Sequence, residues 1–300
     1  MNNETGIRTM QAKNMEQEAA KNKVGKVLVK IALYAFLITM AIIVLFPFYW
    51  MIISSLKSFD EYMLTVPTFF PRSLEFKNYI NAFNTANLGT LFKNTLYVGI
   101  VSTLLSLVIT VLSAFAFARL EFKGRNAMFG ALLATMMIPC ELFTITNYST
   151  VTQLGWLNTY RVLIIPFLVS VFYIYLLRQN FLQIPNELYL AAKVDGTTDL
   201  KYLWKVMIPL ALPTLISITI LKMMGAWNSY IWPRLVANDP EFRLITNGLR
   251  NAFTVDPALG HVNYPQQMAA VAIVSMPLFL VFIFLRKYIM KGVSRSGIKG

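Results

Sequence analysis

Three long stretches of this 300-residue chain are apolar and contain no charged side chain: residues 31–56, 94–118 and 257–285. A helix needs about 20 mostly apolar residues to cross the roughly 30 Å hydrocarbon core of a bilayer. Core helices of soluble proteins usually run for about 8–20 residues and keep a polar face, which these stretches lack. They therefore predict a chain that crosses a membrane several times.

The complete set of apolar runs predicts an all-α membrane protein with six transmembrane helices. The approximate spans are residues 30–55, 94–118, 127–147, 161–180, 206–228 and 267–287. The whole chain therefore divides into an N-terminal tail (1–29), a six-helix domain (30–290) that includes a loop between the fourth and fifth spans (181–206), and a C-terminal tail (291–300). Arg178 and Lys222 shorten the charge-free parts of the fourth and fifth spans.

The basic residues indicate the orientation of these spans. With the N-terminus inside, 18 Lys and Arg side chains lie in the inner segments and eight in the outer segments. Cytoplasmic loops of membrane proteins carry this excess of basic residues. We therefore expect both termini in the cytoplasm. The same distribution accounts for the net charge of +13, so the sequence predicts no nucleic-acid partner.

Cysteine and histidine occur once each, as Cys140 and His261. A single cysteine excludes an intramolecular disulfide and a Cys-cluster metal site, and a single histidine argues against a His-based metal site. The two residues lie roughly 120 positions apart, and nothing in the sequence assembles a nucleophile with a base. We expect neither catalytic residues nor a metal site, which argues against an intramembrane enzyme.

The inner loop over residues 181–206 contains helix-capping and turn residues that a simple connector does not need. Asn186 is placed to cap a helix that carries Glu187 in its first turn, favourably for the helix dipole. Gly196 suits a left-handed terminating position, and Thr197 or Thr198 could cap a second short helix. The segment is either an ordinary interfacial helix or a docking element that receives force from a cytoplasmic partner.

This loop resembles the EAA loop of permease subunits in binding-protein-dependent ABC importers. The matching residues are Glu187, Ala191, Ala192, Asp195, Gly196, Ile208, Pro209 and Pro213. The likeness extends over nearly all of residues 30–300 and is closest to the carbohydrate-uptake group, of the maltose-permease second-subunit type. Tyr189 and Leu190 depart from the family pattern, which often has acids there.

The resemblance implies a transport subunit, not an enzyme, in a bacterial cell membrane. Its implied partners are a second homologous permease chain, two cytoplasmic ABC ATPases, an external solute-binding protein and the lipid bilayer. The chain has no Gly-x-x-x-x-Gly-Lys-Ser/Thr phosphate loop, so ATP-Mg would bind the partner ATPases and this chain would hold no cofactor. Motion of the Glu187–Gly196 helix would tilt the third to fifth spans and reverse the opening of a cavity for a carbohydrate.

Two other functions remain open. A permease of the same family could carry a non-sugar solute such as a glycerol phosphate or a polyol. A secondary transporter without an ATPase would need coupling charges near the midplane, for which the spans offer only Glu141 and Lys222.

Planar polar and aromatic side chains near the outer ends of the third and fifth spans suit sugar binding. Together with the two intramembrane charges, they form a candidate solute pathway. Its members are Glu141, Asn147, Tyr148, Gln153, Lys222, Trp227 and Asn228. For the aromatic residues the alternative is a place in the membrane-interface belt, and for Lys222 it is snorkelling of a long side chain.

Overall fold

The computed structural model describes residues 2–255 and 260–294, which form helices and loops and contain no strand. The helices are α1 (Asn2–Ser55), α2 (Phe59–Tyr62), α3 (Lys77–Thr85), α4 (Leu88–Arg119), α5 (Arg125–Thr135), α6 (Thr144–Gln153), α7 (Tyr160–Ile164), α8 (Val171–Leu182), α9 (Asn186–Val194), α10 (Asp199–Tyr202), α11 (Ile208–Trp227), α12 (Ile231–Val236), α13 (Ile245–Ala252) and α14 (Tyr264–Ser294). The predicted all-α class is confirmed for these residues.

Four helical segments of the described chain are long and apolar enough to cross a membrane. They are Leu28–Ser55, Leu88–Arg119, Asp199–Trp227 and Tyr264–Arg286. Two further pairs of helices pass the same test together but are sharply bent, so the count rises to six if each pair forms one span. The chain is therefore multi-pass by length and composition, and the six-span arrangement stays a prediction.

The third predicted span, residues 127–147, is not one continuous helix. It divides into α5, a 3₁₀ turn over Cys140–Phe143 and α6, and the axes on either side of the break differ by 81°. Pro139 adopts an extended conformation at the break. Proline has no N–H for the helical ladder and pushes the residue before it out of the α region, which accounts for the interruption.

The fourth predicted span, residues 161–180, is also broken. A first segment, Tyr160–Phe167, ends in a 3₁₀ turn that contains Pro166, and α8 follows at an angle of 45°. Ser170 between them is extended. Residues 168–170 are not helical, although the Leu168 N–H donates to the Ile165 carbonyl and the Ser170 carbonyl accepts from the Ile174 N–H of α8.

The two ends of the chain extend the predicted spans. Helix α1 begins at Asn2 and therefore includes nearly all of the predicted tail, residues 1–29. Helix α14 contains the sixth predicted span and continues to Ser294. The last part of the predicted C-terminal tail, residues 295–300, lies outside the described residues.

Helix α4 is the centre of the bundle and packs against both α8 and α11. Their shared core includes Ala114 and Phe115 of α4, Leu177 of α8 and Ala211 of α11, all buried. The small side chains let the helix axes approach closely. Helices α1 and α14 pack against each other and leave most of their apolar surface uncovered, as expected for helices that face lipid or a second chain.

Candidate functional site

Helix α9 lies at the end of the bundle where α4 stops and α11 begins, here called the loop end. Its N-cap position is taken by Pro185, whose fixed φ directs the chain into the helix. Asn186 is the first helical residue, so the predicted Asn186 cap is wrong. Its Oδ1 instead accepts a hydrogen bond of 3.3 Å from Nη1 of Arg119. Glu187 lies exposed in the first turn, as predicted.

The C-terminus of α9 is closed by two backbone hydrogen bonds around Gly196. The Gly196 N–H donates to the Lys193 carbonyl at 3.0 Å, and the Thr197 N–H donates to the Ala192 carbonyl at 2.8 Å. This pair of bonds is the Schellman motif, which requires a left-handed residue at the turn. Gly196 has a φ of +69°, so the predicted terminating glycine is confirmed.

Helix α10 follows directly and turns back onto α9. Oγ1 of Thr198 accepts a hydrogen bond of 3.4 Å from the Lys201 N–H, which identifies the cap among the two predicted threonines. The Asp199 carboxylate of α10 accepts a hydrogen bond of 2.7 Å from the Tyr189 hydroxyl. It also forms an ion pair of 2.8 Å with Nζ of Lys193.

Tyr189 and Lys193 are four residues apart and therefore share one face of α9. Burial and the hydrogen bond to Asp199 raise the pKa of Tyr189, so the phenol stays protonated and available as a donor. The hydrogen bond to Asp199 raises the pKa of Lys193, which keeps the ammonium charged. These contacts fix the angle between α9 and α10.

An aromatic contact connects α9 to the core of the bundle. The ring of Tyr189 lies 5.1 Å from the ring of Tyr202, which is buried beside Phe181 and Leu203. Ala192 packs against the same cluster. The small side chain of Ala192 thus faces this chain's own core and not an outside partner. Helix α9 packs on the core shared by α4, α8 and α11.

Arg119 connects α9 to the centre of the bundle. It is the last residue of α4, it is buried, and its Nη2 donates to the carbonyls of Phe181 (2.8 Å) and Ile184. Arg178 of α8 donates in the opposite direction, from Nε to the Phe117 carbonyl of α4 at 3.1 Å. Each arginine thus donates to a carbonyl near the C-terminal end of the other helix, where intrahelical donors are lacking. The Phe181 carbonyl also accepts from the Ile184 N–H.

The remaining motif positions are distributed between the surface and the start of α11. Ala191, Asp195 and Pro209 are exposed, Ile208 is half-buried against the core, and Pro213 lies inside α11. A five-residue π-helix, Leu203–Met207, precedes α11. Large apolar side chains around α9 and α10 point away from the core. These are Leu188, Leu190, Val194, Leu200 and Trp204.

The seven candidate pathway residues do not converge on one site in this chain. Four are exposed on the 3₁₀ turn and α6: Glu141, Asn147, Tyr148 and Gln153. Trp227 is buried beside Phe92 in a second apolar cluster, and Asn228 is exposed and donates to the Met224 carbonyl of its own helix. Lys222 alone of the seven lines a cavity within the described part of the helix bundle.

This cavity has a volume of about 350 Å³ and is lined by residues of α4, α7, α8, α11 and α12. Lys222 donates from Nζ to the Phe167 carbonyl at 2.7 Å and lies 5.8 Å from the centre of the Tyr173 ring. Hydroxyl groups from three serines also line it: Ser102, Ser170 and Ser229. Its other walls are mainly apolar.

The opposite end of the bundle is held by buried polar side chains. Nδ2 of Asn94 donates to the carbonyls of Glu241 (2.6 Å) and Arg243 (3.0 Å), and its Oδ1 accepts a hydrogen bond of 2.8 Å from the Tyr160 hydroxyl. The Ile245 N–H donates to Thr95. The segment between α12 and α13 is thereby attached to the first turns of α4.

The segment between α1 and α3, here called the first loop, lies at the same end and is organised around Glu61. Its carboxylate accepts hydrogen bonds from the Thr68 hydroxyl at 2.6 Å and from the Arg72 N–H at 3.0 Å. Lys57 is buried next to it, donates to the Thr68 carbonyl and lies over the Trp50 ring. The described residues contain no cluster of His, Cys, Asp and Glu suited to a metal ion.

Residues 106–295 match a protein-family model described as the binding-protein-dependent transport system inner membrane component. The arabinooligosaccharides transport system permease protein AraQ of Halalkalibacterium halodurans is 32% identical and is covered over 93% of its length by 87% of this chain. The trehalose/maltose transport system permease protein MalG of Thermococcus litoralis is 30% identical, with 92% and 99% of the two chains covered.

One solved structure shows the same fold. A chain of a bacterial ABC transporter involved in the import of the acidic polysaccharide alginate superposes with a TM-score of 0.80 at 24% identity. The superposition covers 87% of this chain and 96% of the other. The two chains therefore share one overall fold.

Proposed function

Because this chain belongs to the family of binding-protein-dependent transport system inner membrane components, we propose that it is the permease subunit of an ATP-driven importer. Its cargo is a carbohydrate, an oligosaccharide or a related sugar, which enters the cell by alternating access. The family resemblance predicted from the motif residues 187–213 is confirmed by the match over residues 106–295. Relatives named for oligosaccharide and disaccharide uptake support the cargo class.

The loop end of the bundle faces the cytoplasm in this proposal, together with both chain termini. The excess of Lys and Arg in the segments on that side supports the orientation. The six-helix domain then occupies residues 30–290 of a bacterial membrane, with cytoplasmic tails over residues 1–29 and 291–300. The coupling loop comprises residues 181–206.

The observation that carries the proposal is the rigid attachment of α9 to the bundle. One face of this short helix is fixed by Tyr189, Lys193 and Arg119. Leu190 and Val194, four residues apart, share another face and are exposed. An exposed apolar patch on a firmly mounted helix suits a protein partner that applies force. We assign this partner role to one of two cytoplasmic ABC ATPases, which would bind ATP-Mg.

Movement of α9 would then reach three long helices directly. Tyr202 and Arg119 connect it to α8 and α4, and the π-helical segment Leu203–Met207 leads into α11. The corresponding predicted spans are the second, fourth and fifth, instead of the third to fifth expected from the resemblance. ATP shifts the inward–outward equilibrium only by binding one state more tightly. The displacement of α9 would favour the corresponding conformation of the helix bundle.

The solute pathway would form between this chain and a second homologous permease chain. Glu141, Asn147, Tyr148 and Gln153 are exposed polar side chains on one segment and would line that shared cavity. An external solute-binding protein would dock on the loops opposite α9, where Asn94 and Glu61 hold the backbone in place. Lipid would cover the exposed apolar faces of α1 and α14.

Co-purification from mild detergent tests the proposal. A tagged chain should retain a second six-span subunit and an ABC ATPase in comparable amounts, and the reconstituted assembly should hydrolyse ATP faster when its binding protein and solute are added. Recovery of the chain without either subunit would refute the importer function and favour a secondary transporter. Uptake of glycerol phosphate or a polyol but of no sugar would move the cargo to the non-sugar class.

A further inference from the structure

We infer that the cavity around Lys222 binds an anionic group, a carboxylate or a phosphate, on a sugar-sized solute. The inference rests on the proposed function and narrows its substrate class. Ser102, Tyr173 and Lys222 come from the second, fourth and fifth predicted spans. Trp232 and Leu244, from the segments opposite α9, also line it. The cavity therefore lies toward that end of the helices that α9 would move.

The charge of Lys222 has no acidic counterpart in this cavity. Its Nζ makes one hydrogen bond, to the neutral carbonyl of Phe167, although an ammonium group has three donors. None of the 14 residues that line the cavity is an aspartate or a glutamate. A charged side chain inside a membrane protein pairs with an opposite charge or marks a substrate path, and here the missing negative charge has to come from a ligand.

The backbone near Lys222 indicates that the cavity contains water, not lipid. Phe167, Val169 and Ser170 line it at the break of the fourth predicted span. Non-helical backbone is tolerated at membrane depth only where it is covered by protein or borders a water-filled space. Lys222 donates to the Phe167 carbonyl in this segment, and its ammonium group has two further donors available for water or a ligand in the cavity.

The size and remaining polar groups favour a small polyhydroxy compound. Ligand pockets commonly measure about 300–1,000 Å³, and a volume of about 350 Å³ lies at the low end of this range. Three serine hydroxyls and one tyrosine line the cavity and can donate to or accept from sugar hydroxyls. A uronate or a sugar phosphate combines both features, whereas a neutral sugar leaves the Lys222 charge unpaired.

The labelling rate of a single cysteine introduced at position 225 reports the electrostatic potential in this cavity, and the experiment does not require the cargo to be known. Gly225 lines it, is exposed, and has no atom within 4 Å of an added Cβ. The full importer would carry Gly225→Cys in a Cys140→Ser background, because Cys140 is exposed. An anionic sulfonatoethyl and a cationic trimethylammonioethyl methanethiosulfonate would be compared, each forming a mixed disulfide with the thiolate and releasing methanesulfinate.

We expect the anionic reagent to react faster relative to the cationic one, and Lys222→Gln to lower this ratio about fivefold or more, as expected for a unit charge several ångströms away. Any effect of Lys222 on the thiol itself cancels in the ratio. Glutamine keeps a donor for the Phe167 carbonyl, and Lys222→Arg, which keeps the charge, should preserve the ratio. An unchanged ratio in Lys222→Gln overturns the inference.

Protection of the same cysteine identifies the ligand chemistry. Galacturonate, glycerol 3-phosphate and galactose would be tested in nanodiscs of phosphatidylcholine. Slower labelling with one or both anions, absent in Lys222→Gln, supports a carboxylate or phosphate site accordingly. Equal protection by galactose or protection by none of the three overturns it. So does loss of the difference in reagent ratio between wild type and Lys222→Gln on adding phosphatidylglycerol, because the charge of the lipid surface affects both proteins alike. Continued co-purification of the ATPase in any of these cases leaves the importer role intact.

Discussion

The guanidinium of Arg119, at the last position of α4, donates a hydrogen bond of 2.8 Å to the carbonyl of Phe181, near the last position of α8. Arg178 of α8 returns a bond of 3.1 Å to Phe117 of α4. Each helix thus donates a side-chain hydrogen bond to a carbonyl near the C-terminal end of the other. Because α9 begins directly after this contact and its first residue, Asn186, also bonds to Arg119, we expect the position of α9 to depend on Arg119.

Replacing Arg119 by methionine should release α9 from the bundle. The substitution keeps much of the apolar stem but removes the side-chain hydrogen bonds to the Phe181 and Ile184 carbonyls, and the Phe181 carbonyl keeps the Ile184 N–H as a donor. Hydrogen bonds to a charged group contribute about 1.5–3 kcal/mol each, so we expect a loss of about 2–4 kcal/mol in the free energy of unfolding. Denaturant titration in detergent measures it, and limited proteolysis should show new cleavage within residues 181–206.

Lys123→Met is the matched control, since Lys123 is an exposed cation of the neighbouring loop, and it should leave both measurements unchanged. The variant Arg178→Met tests the reciprocity of the contact. In a double-mutant cycle, the combined loss with Arg119→Met should differ from the sum of the single losses. Strict additivity would mean that the two arginines act independently.

Replacing Gly196 by alanine should separate ATP hydrolysis from transport. A φ of +69° costs a residue with a side chain about 1–2 kcal/mol, and the turn that closes α9 would shift. We expect reconstituted importer to lose solute uptake while its ATPase activity persists without stimulation. Gly130→Ala in α5, where an added Cβ meets no atom, is the control and should transport normally.

Glu187→Gln addresses the same coupling step without backbone strain. Glu187 is exposed in the first turn of α9, so its loss should change the free energy of unfolding by no more than about 1 kcal/mol. Uptake should nevertheless fall, while solute still binds to the external binding protein. Normal uptake in both Gly196→Ala and Glu187→Gln would refute the coupling function of the loop.

The sequence predicted the parts of this molecule that local physics determines. The charge-free stretches predicted α4 and the apolar part of α14, and the glycine rule predicted the turn at Gly196. The breaks in the third and fourth predicted spans carried a signal as well, because Pro139 and Pro166 stand where the helices stop. Because a hydropathy average over about 20 residues hides a single proline, the apolar runs 127–147 and 161–180 predict continuous helices.

Contacts between distant segments could not be predicted in this way. Arg119 and Arg178 were counted only as positive charges on the inner side, and nothing in their neighbourhood in the sequence pairs residue 119 with residue 181. Trp227 is a candidate for the solute pathway or for the interface belt, and its ring packs beside Phe92. An aromatic residue at a helix end has the same sequence signal whether it faces lipid, solute or a neighbouring helix.

Asn94 should be essential for the structure of the loops opposite α9. It is almost fully buried and bonds the Glu241 and Arg243 carbonyls and the Tyr160 hydroxyl. Asn94→Leu leaves these groups unsatisfied, at about 1–3 kcal/mol for each buried group. We expect a lower midpoint of thermal unfolding and faster proteolysis between residues 236 and 245. Asn81→Leu, at an exposed position of α3, should change neither.

Glu61 should make the stability of the first loop depend on pH. Burial alone would raise the pKa of its carboxyl, but hydrogen bonds from Thr68 and Arg72 and the charge of Lys57 outweigh burial and leave that pKa below its ordinary value. The ionised form is thus stabilised by folding. Its contribution is present above the unfolded value of about 4.3 and is lost as the pH falls through the lower folded value.

Thermal unfolding of wild type and Glu61→Gln, compared between neutral and acidic pH, measures this contribution. Wild type should unfold at the higher temperature at pH 7, and the difference should shrink below the ordinary glutamate pKa as the carboxylate is protonated. Asp60→Asn, a change at an exposed neighbouring carboxylate, should follow wild type throughout. A difference that stays constant into acid would show that Glu61 stabilises the loop by its shape and not by its charge.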